Sequence, residues 1–392
     1  MKVVVTHLYN NYTGSPLVLS QTLRALSDAR IETDLYTSDG PGFLDDAPCT
    51  RHFLHWYRWS PNKYLRLINF TLSQIALFFR LLKYRNEEVV FFANTILPAS
   101  TGWAAKWMGK RVIYHIHETT FQPPAFTAML TGTIQRTADH LIFVSRYLQD
   151  YHEFPRIPQN VIFNALSADF VRKAQSAPQE SYDGPLRVLM ICSLKKAKGI
   201  FEYLELARRV PEAQFTLVIS QTQSQIDRFL GAELIPANVK LYPAQTDVHP
   251  FYQFADCLVS LSHPIEWPET FGMTIVEGMQ YGLPAIVPPV GAPVEIVRPG
   301  IDGFHADMRH LEEVELCLRS WIEDPASRKE MGQQARLRAG DFSVEVFAKQ
   351  IVDTIQKVAQ GPAHLGDLDE MPRASDRGRF NEEGRNSQSL SG

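Results

Sequence analysis

Short runs rich in Val, Ile and Phe alternate with longer stretches whose apolar positions recur at helical spacing, from the first residues onward. The runs read as strands at 2–6 (KVVVT), 32–37 (ETDLYT), 88–93 (EVVFFA), 111–116 (RVIYHI) and 140–145 (HLIFVS). Helices fill the intervals, and this alternation predicts βα units on a parallel sheet. At 172–185 the polar stretch RKAQSAPQESYDGP, with two prolines and a glycine, reads as a linker. The rhythm then restarts at 186–193 (LRVLMICS), 214–220 (QFTLVIS), 238–242 (NVKLY), 256–262 (DCLVSLS) and 283–288 (LPAIVP). The expected fold is therefore α/β: two doubly wound, Rossmann-like parallel-sheet domains, at 1–171 and 186–342, facing each other across a cleft. Helical patterns at 308–324 and 326–339 close the second domain, and a last one within 343–360 is expected to pack back on the first. Residues 361–392 are polar and almost without large aliphatics, which predicts a disordered tail.

A further helical pattern, LRLINFTLSQIALFFRLL at 65–82, carries an apolar stripe through Leu65, Ile68, Leu72, Ile75, Phe79 and Leu82. Arg66, Asn69, Gln74 and Arg80 interrupt it, so no segment offers the roughly 18 uninterrupted apolar residues of a spanning helix. Between residues 51 and 111 ten Lys and Arg stand against two acids, an excess of ten minus two, or eight. Phe53, Trp56, Tyr57, Trp59 and Tyr64 lie among them. This composition fits a surface at 51–85 that meets anionic lipid headgroups, and equally a core-packing helix with snorkelling cations.

Length and composition agree with this organisation. A chain of 392 residues exceeds what one core supports, and 45 % hydrophobic with 21 % charged residues is ordinary for a globular protein. A formal net charge of -4 gives no electrostatic support to nucleic-acid binding. Cys49, Cys192, Cys257 and Cys317 are widely spaced, form no C-x-x-C pair and read as reduced thiols. The amino terminus runs straight into a strand without a signal-peptide pattern, so a cytoplasmic location is expected, with the inner face of the membrane as its extension.

The stretch HPIEWPETFGMTIVEGMQYGLPAIV, residues 263–287, carries the chemistry. Thr270 reads as the N-cap of a short helix whose buried face includes Met273, Val276 and Met279. Gly272 lets a ligand approach the backbone, and the N–H groups of Gly272, Met273 and Thr274 make a seat for phosphate. Glu269 sits beside that seat, and Glu277 shares a helix face with Met273 and Tyr281. No closely spaced Asp-x-Asp follows a strand, and Asp45-Asp46 reads as a solvated turn, so no metal site and no cofactor is expected.

PETFGMTIVEGMQYGLPAIV resembles the Glu-x7-Glu signature of family 4 of the retaining, nucleotide-sugar-dependent glycosyltransferases, through Glu269, Phe271, Gly272, Glu277, Gly282 and Pro284. Further landmarks follow in the family's order: YTGSPLVLSQTLRAL, IYHIHETT, IFVSRY, LKKAKGIFEYLELA and PPVGAPVEIVRPGIDGF. The resemblance implies the two-domain GT-B fold, with an acceptor side in the first domain and a donor side in the second. It implies transfer of a hexose or related sugar, with retention, from a nucleoside diphosphate sugar to a glycan or lipid-linked acceptor. Lys198, at the start of a helix, would meet the diphosphate, aided by the N–H groups of Phe271, Gly272, Met273 and Thr274 and by the Gly14–Ser15 turn. Glu277 would bond the ribose hydroxyls, Glu269 the sugar ring, and His117 the sugar hydroxyls across the cleft. His115 points the same way if its strand persists, which leaves the choice between the two histidines open. Two positions depart from the pattern: Ser193 stands where an Arg is common, and Ala165 follows Asn164 where Gly is typical. They keep a non-catalytic nucleotide-sugar-binding protein in view as an alternative, beside a nucleotide-sugar epimerase or hydrolase on the same fold.

Overall fold

The computed structural model describes residues 1–177, 182–231 and 235–361. The expected tail from 362 onward lies outside the described residues. The first sheet has seven parallel strands in the order β3-β2-β1-β4-β5-β6-β7. Its strands are β1 (Lys2–Thr6), β2 (Glu32–Ser38), β3 (Arg51–His55), β4 (Val89–Asn94), β5 (Arg111–Ile116), β6 (His140–Phe143) and β7 (Gln159–Val161). The second sheet has six, in the order β10-β9-β8-β11-β12-β13. These are β8 (Arg187–Cys192), β9 (Gln214–Ile219), β10 (Val239–Tyr242), β11 (Cys257–Val259), β12 (Ala285–Val287) and β13 (Gly303–His305).

Helices cover both faces of each sheet, which is why central strands read as unbroken apolar runs: Val3, Val4 and Val5 are all fully buried. Strand order reverses between β1 and β4 in the first sheet and between β8 and β11 in the second. Such reversals open a crevice at the carboxyl ends of the strands, and the two crevices meet at one cavity.

Three short strands have no counterpart in the sequence reading: β3, β7 and β13. All lie at or next to sheet edges, where half-exposed positions carry Arg, His, Gln and Asn instead of an apolar run. The start of the expected linker differs too, because residues 172–176 complete the helix Ala168–Ser176, and 178–181 lie outside the described residues.

The apolar stripe at 65–82 faces outward. The helix Lys63–Leu81 buries Phe70, Ser73, Leu77 and Leu81 instead. It packs on the helix Ala99–Trp107, where the Gln74 carbonyl accepts from the Ser100 N–H and O–H at 3.1 and 3.0 Å. It thus carries two apolar faces, and periodicity alone does not say which one the core takes.

The helix Val344–Gln360 crosses from the second domain to the first. Phe347, Ile351 and Ile355 join Val18, Leu19 and Leu23 in one buried cluster beside the first sheet. The crossing is fixed where the Leu166 N–H donates to the Phe342 carbonyl at 3.1 Å. Ile351→Ala is expected to cost about 2–5 kcal/mol by emptying that contact. Urea denaturation showing less than about 1 kcal/mol would mean that the first domain does not depend on this helix.

Candidate active site

The cavity has a volume of about 520 Å³. From the first domain it is lined by Thr13, Gly14, Ser15, His117, Glu118, Val144 and Asn164. Its second-domain wall includes Ser193, Lys198, Ser262, Glu269 and Phe271 to Thr274. Sequence reading named most of these positions, over a span of 260 residues, and the fold brings them to one place.

On the first-domain wall, Gly14 opens the helix Gly14–Asp28 with Thr13 as its N-cap residue. A side chain at Gly14 would meet nothing within 4 Å, so the first helical turn stands open to the cavity. Behind it, β5 ends at Ile116. His115 lies inside the strand, fully buried, and burial pushes its imidazole down to about 3. His117, one residue beyond the strand, reaches the cavity. The structure therefore assigns the wall to His117.

Its ring is held by Asn94, the last residue of β4, whose side-chain oxygen lies 3.0 Å from Nε2. The Asn94 amide in turn donates to the Ser15 carbonyl at 3.1 Å and lies 3.1 Å from Nδ1 of His7. One buried amide thus ties His117 to the glycine turn. Burial, followed by repulsion from His115 and His7, holds the His117 imidazole well below its ordinary value, so it is neutral. With Nε2–H donating to Asn94, Nδ1 carries the lone pair. Glu118 beside it is pushed up to about 7 by burial.

On the second-domain wall, Lys198 ends the 3-10 turn Lys196–Lys198 that follows β8, one residue before the N-cap of the helix Ile200–Arg209 and not inside it. Gly199 is that N-cap, at φ +76. A Cβ there would come within 2.4 Å of the Leu261 Cβ and carbonyl oxygen, so the lysine turn is pressed against the loop after β11. That contact aims the Lys198 ammonium at Glu269, and the two form an ion pair with only 14 % and 19 % of their side chains exposed. Ser262 donates to the same carboxylate oxygen at 2.5 Å.

Glu269 is positioned from behind as well. Its carbonyl accepts from the Ala292 N–H at 2.9 Å, and a Cβ on Gly291 (φ +80) would lie 2.8 Å from that carbonyl oxygen. The helix after it is Met273–Gln280, and its N-cap is Gly272 at φ +138. Thr270 is not the cap, since Gly272 takes a conformation closed to other residues and starts the helix two positions later. The N–H groups of Met273 and Thr274, which open the helix, have no intrahelical acceptor, and both residues line the cavity. Phe271 lines it too, but its ring is buried between Phe163 and Phe342 at 6.2 and 5.9 Å, which anchors the signature loop to the domain junction.

Glu277 stands one helical turn deeper and is not part of the cavity wall. Its carboxylate accepts from the Tyr252 hydroxyl at 2.6 Å, and burial raises its pKa. Ser193 lines the cavity with a hydroxyl where a guanidinium is common. The neighbouring Lys195 ammonium sits 3.6 Å from the Trp267 ring centroid, and burial lowers its pKa. Across the cleft, the Glu295 carboxylate accepts from the N–H groups of Arg146 and Tyr147 at 2.9 and 2.7 Å, capping a first-domain helix from the second domain. Among the described residues no group of three or more His, Cys, Asp and Glu is disposed to hold a metal ion.

Two family models account for both halves of this arrangement. Residues 12–169 match the model described as Glycosyltransferase Family 4, and residues 171–338 match Glycosyl transferases group 1. The chain belongs to the family 4 glycosyltransferases.

Among curated proteins this glycosyltransferase is similar to sucrose synthases over short stretches. It is 40 % identical to that of Beta vulgaris over 60 residues, 14 % of this chain and 8 % of that protein. With the enzyme of Acidithiobacillus caldus it shares 30 % over 95 residues, 23 % of this chain and 12 % of that one. The matched stretches thus span about a tenth of these relatives' length. Solved structures establish the fold over nearly the whole enzyme. Anabaena HepE in complex with UDP-glucose superposes with a TM-score of 0.72 at 18 % identity, over 91 % of this chain and all of that one. Sucrose-phosphate synthase of Thermosynechococcus elongatus gives 0.72 at 16 %, over 91 % and 99 %. The fold is GT-B.

Asn94, Glu118 and Ser262 belong to this site and escaped the sequence reading. Asn94 had a signal, since it is the polar residue that ends the apolar run of β4 at the crevice. Nothing local marks the other two.

Proposed function

We propose that the enzyme transfers a hexose from a nucleoside diphosphate sugar to a glycan or lipid-linked acceptor, with retention of anomeric configuration and without a metal ion. One observation carries this reading: Lys198, Glu269 and the amino end of the helix Met273–Gln280 converge on one cavity, opposite the open turn at Gly14 and the neutral His117. The diphosphate sits against the N–H groups of Met273 and Thr274, and Lys198 leaves Glu269 to neutralise the departing charge. Glu269, released, faces the sugar ring and balances positive charge at the anomeric carbon. His117 accepts from a sugar hydroxyl through Nδ1. Glu277 binds the ribose hydroxyls by giving up its bond from Tyr252. The leaving phosphate, on the face from which it departs, takes the acceptor proton.

UDP-glucose is the first donor to test, because Anabaena HepE, which shares the fold, was crystallised with it. In a thermal-shift screen of nucleoside diphosphates and their sugars, a bound donor at one hundred times its dissociation constant stabilises by about 2.7 kcal/mol. Glu277→Ala should lose most of that response and keep its fold. Transfer in the presence of EDTA should proceed unchanged, and the product should keep the donor's anomeric configuration by NMR. No stabilisation by any nucleotide would remove the reading. Stabilisation without turnover across an acceptor panel would favour a binding protein, for which Ser193 in place of the usual Arg is the motive.

A further inference from the structure

Among the described residues, no element covers the outward face of the helix Lys63–Leu81. Leu65, Ile68, Leu72, Ile75 and Phe79 are 50 to 66 % exposed, whereas Phe70, Ser73, Leu77 and Leu81 are buried. At about 100° per residue the two sets lie on roughly opposite sides of the helix, and the exposed one runs for about 21 Å. A continuous apolar stripe of that length is not ordinary surface.

Its surroundings indicate the occupant. No Asp or Glu occurs from residue 47 to residue 86, while seven Lys and Arg side chains do. Exposed Leu54, Trp56 and Trp59 lie beside the helix, fixed where the Arg80 guanidinium donates to the Leu54 carbonyl at 2.6 Å and the Asn69 amide to the Arg58 carbonyl at 2.7 Å. Arg51 is bound to Asp34, and the other six cations have no acidic partner among the described residues. Apolar groups at the centre, tryptophans beside them and these cations around them suit the headgroup layer of an anionic bilayer.

We propose that this face docks the enzyme on an anionic phospholipid surface, with the helix lying in the membrane plane. The helix and its 3-10 extension, Lys63–Asn86, are long and apolar enough to cross a bilayer. Their opposite face is already packed on the helix Ala99–Trp107, which fits lying in the plane and not spanning it. A two-fold contact with a second copy would press two acid-free cationic faces together. The docking face begins at the carboxyl end of the first sheet, the end at which the cavity lies. β3 ends at the same sheet edge as the other strands, and Tyr57 beyond it packs edge-on against Tyr9, in the loop before Gly14, at 6.2 Å. A lipid-borne acceptor therefore enters along residues 56–64. That last step rests on the transferase reading, whereas the docking does not.

The test is co-sedimentation of the full chain with phosphatidylcholine vesicles and with equimolar phosphatidylcholine and phosphatidylglycerol vesicles, without nucleotide. Partitioning should be at least about tenfold stronger with phosphatidylglycerol and fall as salt rises. The double variant Ile68→Glu, Phe79→Glu should lose more than about tenfold, and Lys63→Gln or Arg58→Gln about fivefold each. UDP thermal shifts measured on the same variants separate failure of docking from failure of the donor site. Equal partitioning into both vesicles, none at all, or wild-type partitioning of the double variant would overturn the proposal. So would retention through an alkaline carbonate wash, which assigns a span, or a lipid-independent dimer broken by the double variant, which assigns a second copy.

Discussion

Lys198→Ala is expected to lower kcat for sugar transfer by about 10²–10³ and to leave thermal stability almost unchanged. The lysine ammonium is the one cation that lines the described cavity wall, and a departing diphosphate concentrates negative charge where it can reach. In the structure that ammonium is paired with Glu269. Removing it leaves the carboxylate with the Ser262 hydroxyl and with partial access to solvent, so the folded state loses little. The two partners act as a unit, and the Lys198→Ala, Glu269→Gln double variant should lose much less than the product of the single effects. Steady-state kinetics with the donor varied decides the matter. A raised KM at intact kcat would mean that Lys198 binds ground state and transition state alike.

The second large effect is on folding. Gly199→Ala should destabilise the enzyme by about 3 kcal/mol or more, because two penalties add. The backbone at φ +76 is strained for any residue with a Cβ, and that Cβ would meet the Leu261 Cβ and carbonyl oxygen at 2.4 Å. Gly300→Ala is the control. It has the same φ, +77, and open space around it, so it carries only the conformational part, about 1 kcal/mol. Denaturation midpoints that fell equally for the two would show that the lysine turn is not pressed against the loop after β11. Because the loss displaces Lys198, transfer activity should fall with stability in Gly199→Ala and not in Gly300→Ala.

These positions also show what the chain makes legible. Central strands buried on both faces appear as apolar runs, and the signature around Glu269 stands on a strand-loop-helix whose glycines are required by φ. Edge strands such as β7 do not appear, since half-exposed backbone tolerates any residue. The helix at 65–82 is visible from its period, but with apolar residues on two faces its orientation is a tertiary fact. The cap at Gly272 in place of Thr270 follows from a backbone φ of +138, which the pattern of residue types does not record. The choice of His117 over His115 depends on where β5 stops, and residue types on one strand do not record that. Asn94 shows in the sequence only as the polar end of the β4 run, and its bonds to His117 and to the turn at Ser15 are tertiary. Glu277 is the position where resemblance and geometry differ most, as its carboxylate is engaged by Tyr252 and is not among the cavity-lining groups.

The most direct test is a crystal structure of the enzyme with UDP. The expected density places the diphosphate within hydrogen-bond distance of the Met273 and Thr274 N–H groups, with the Lys198 ammonium moved from Glu269 to a phosphate oxygen. A diphosphate lodged elsewhere, or a Lys198–Glu269 pair left intact beside it, would contradict the assignment.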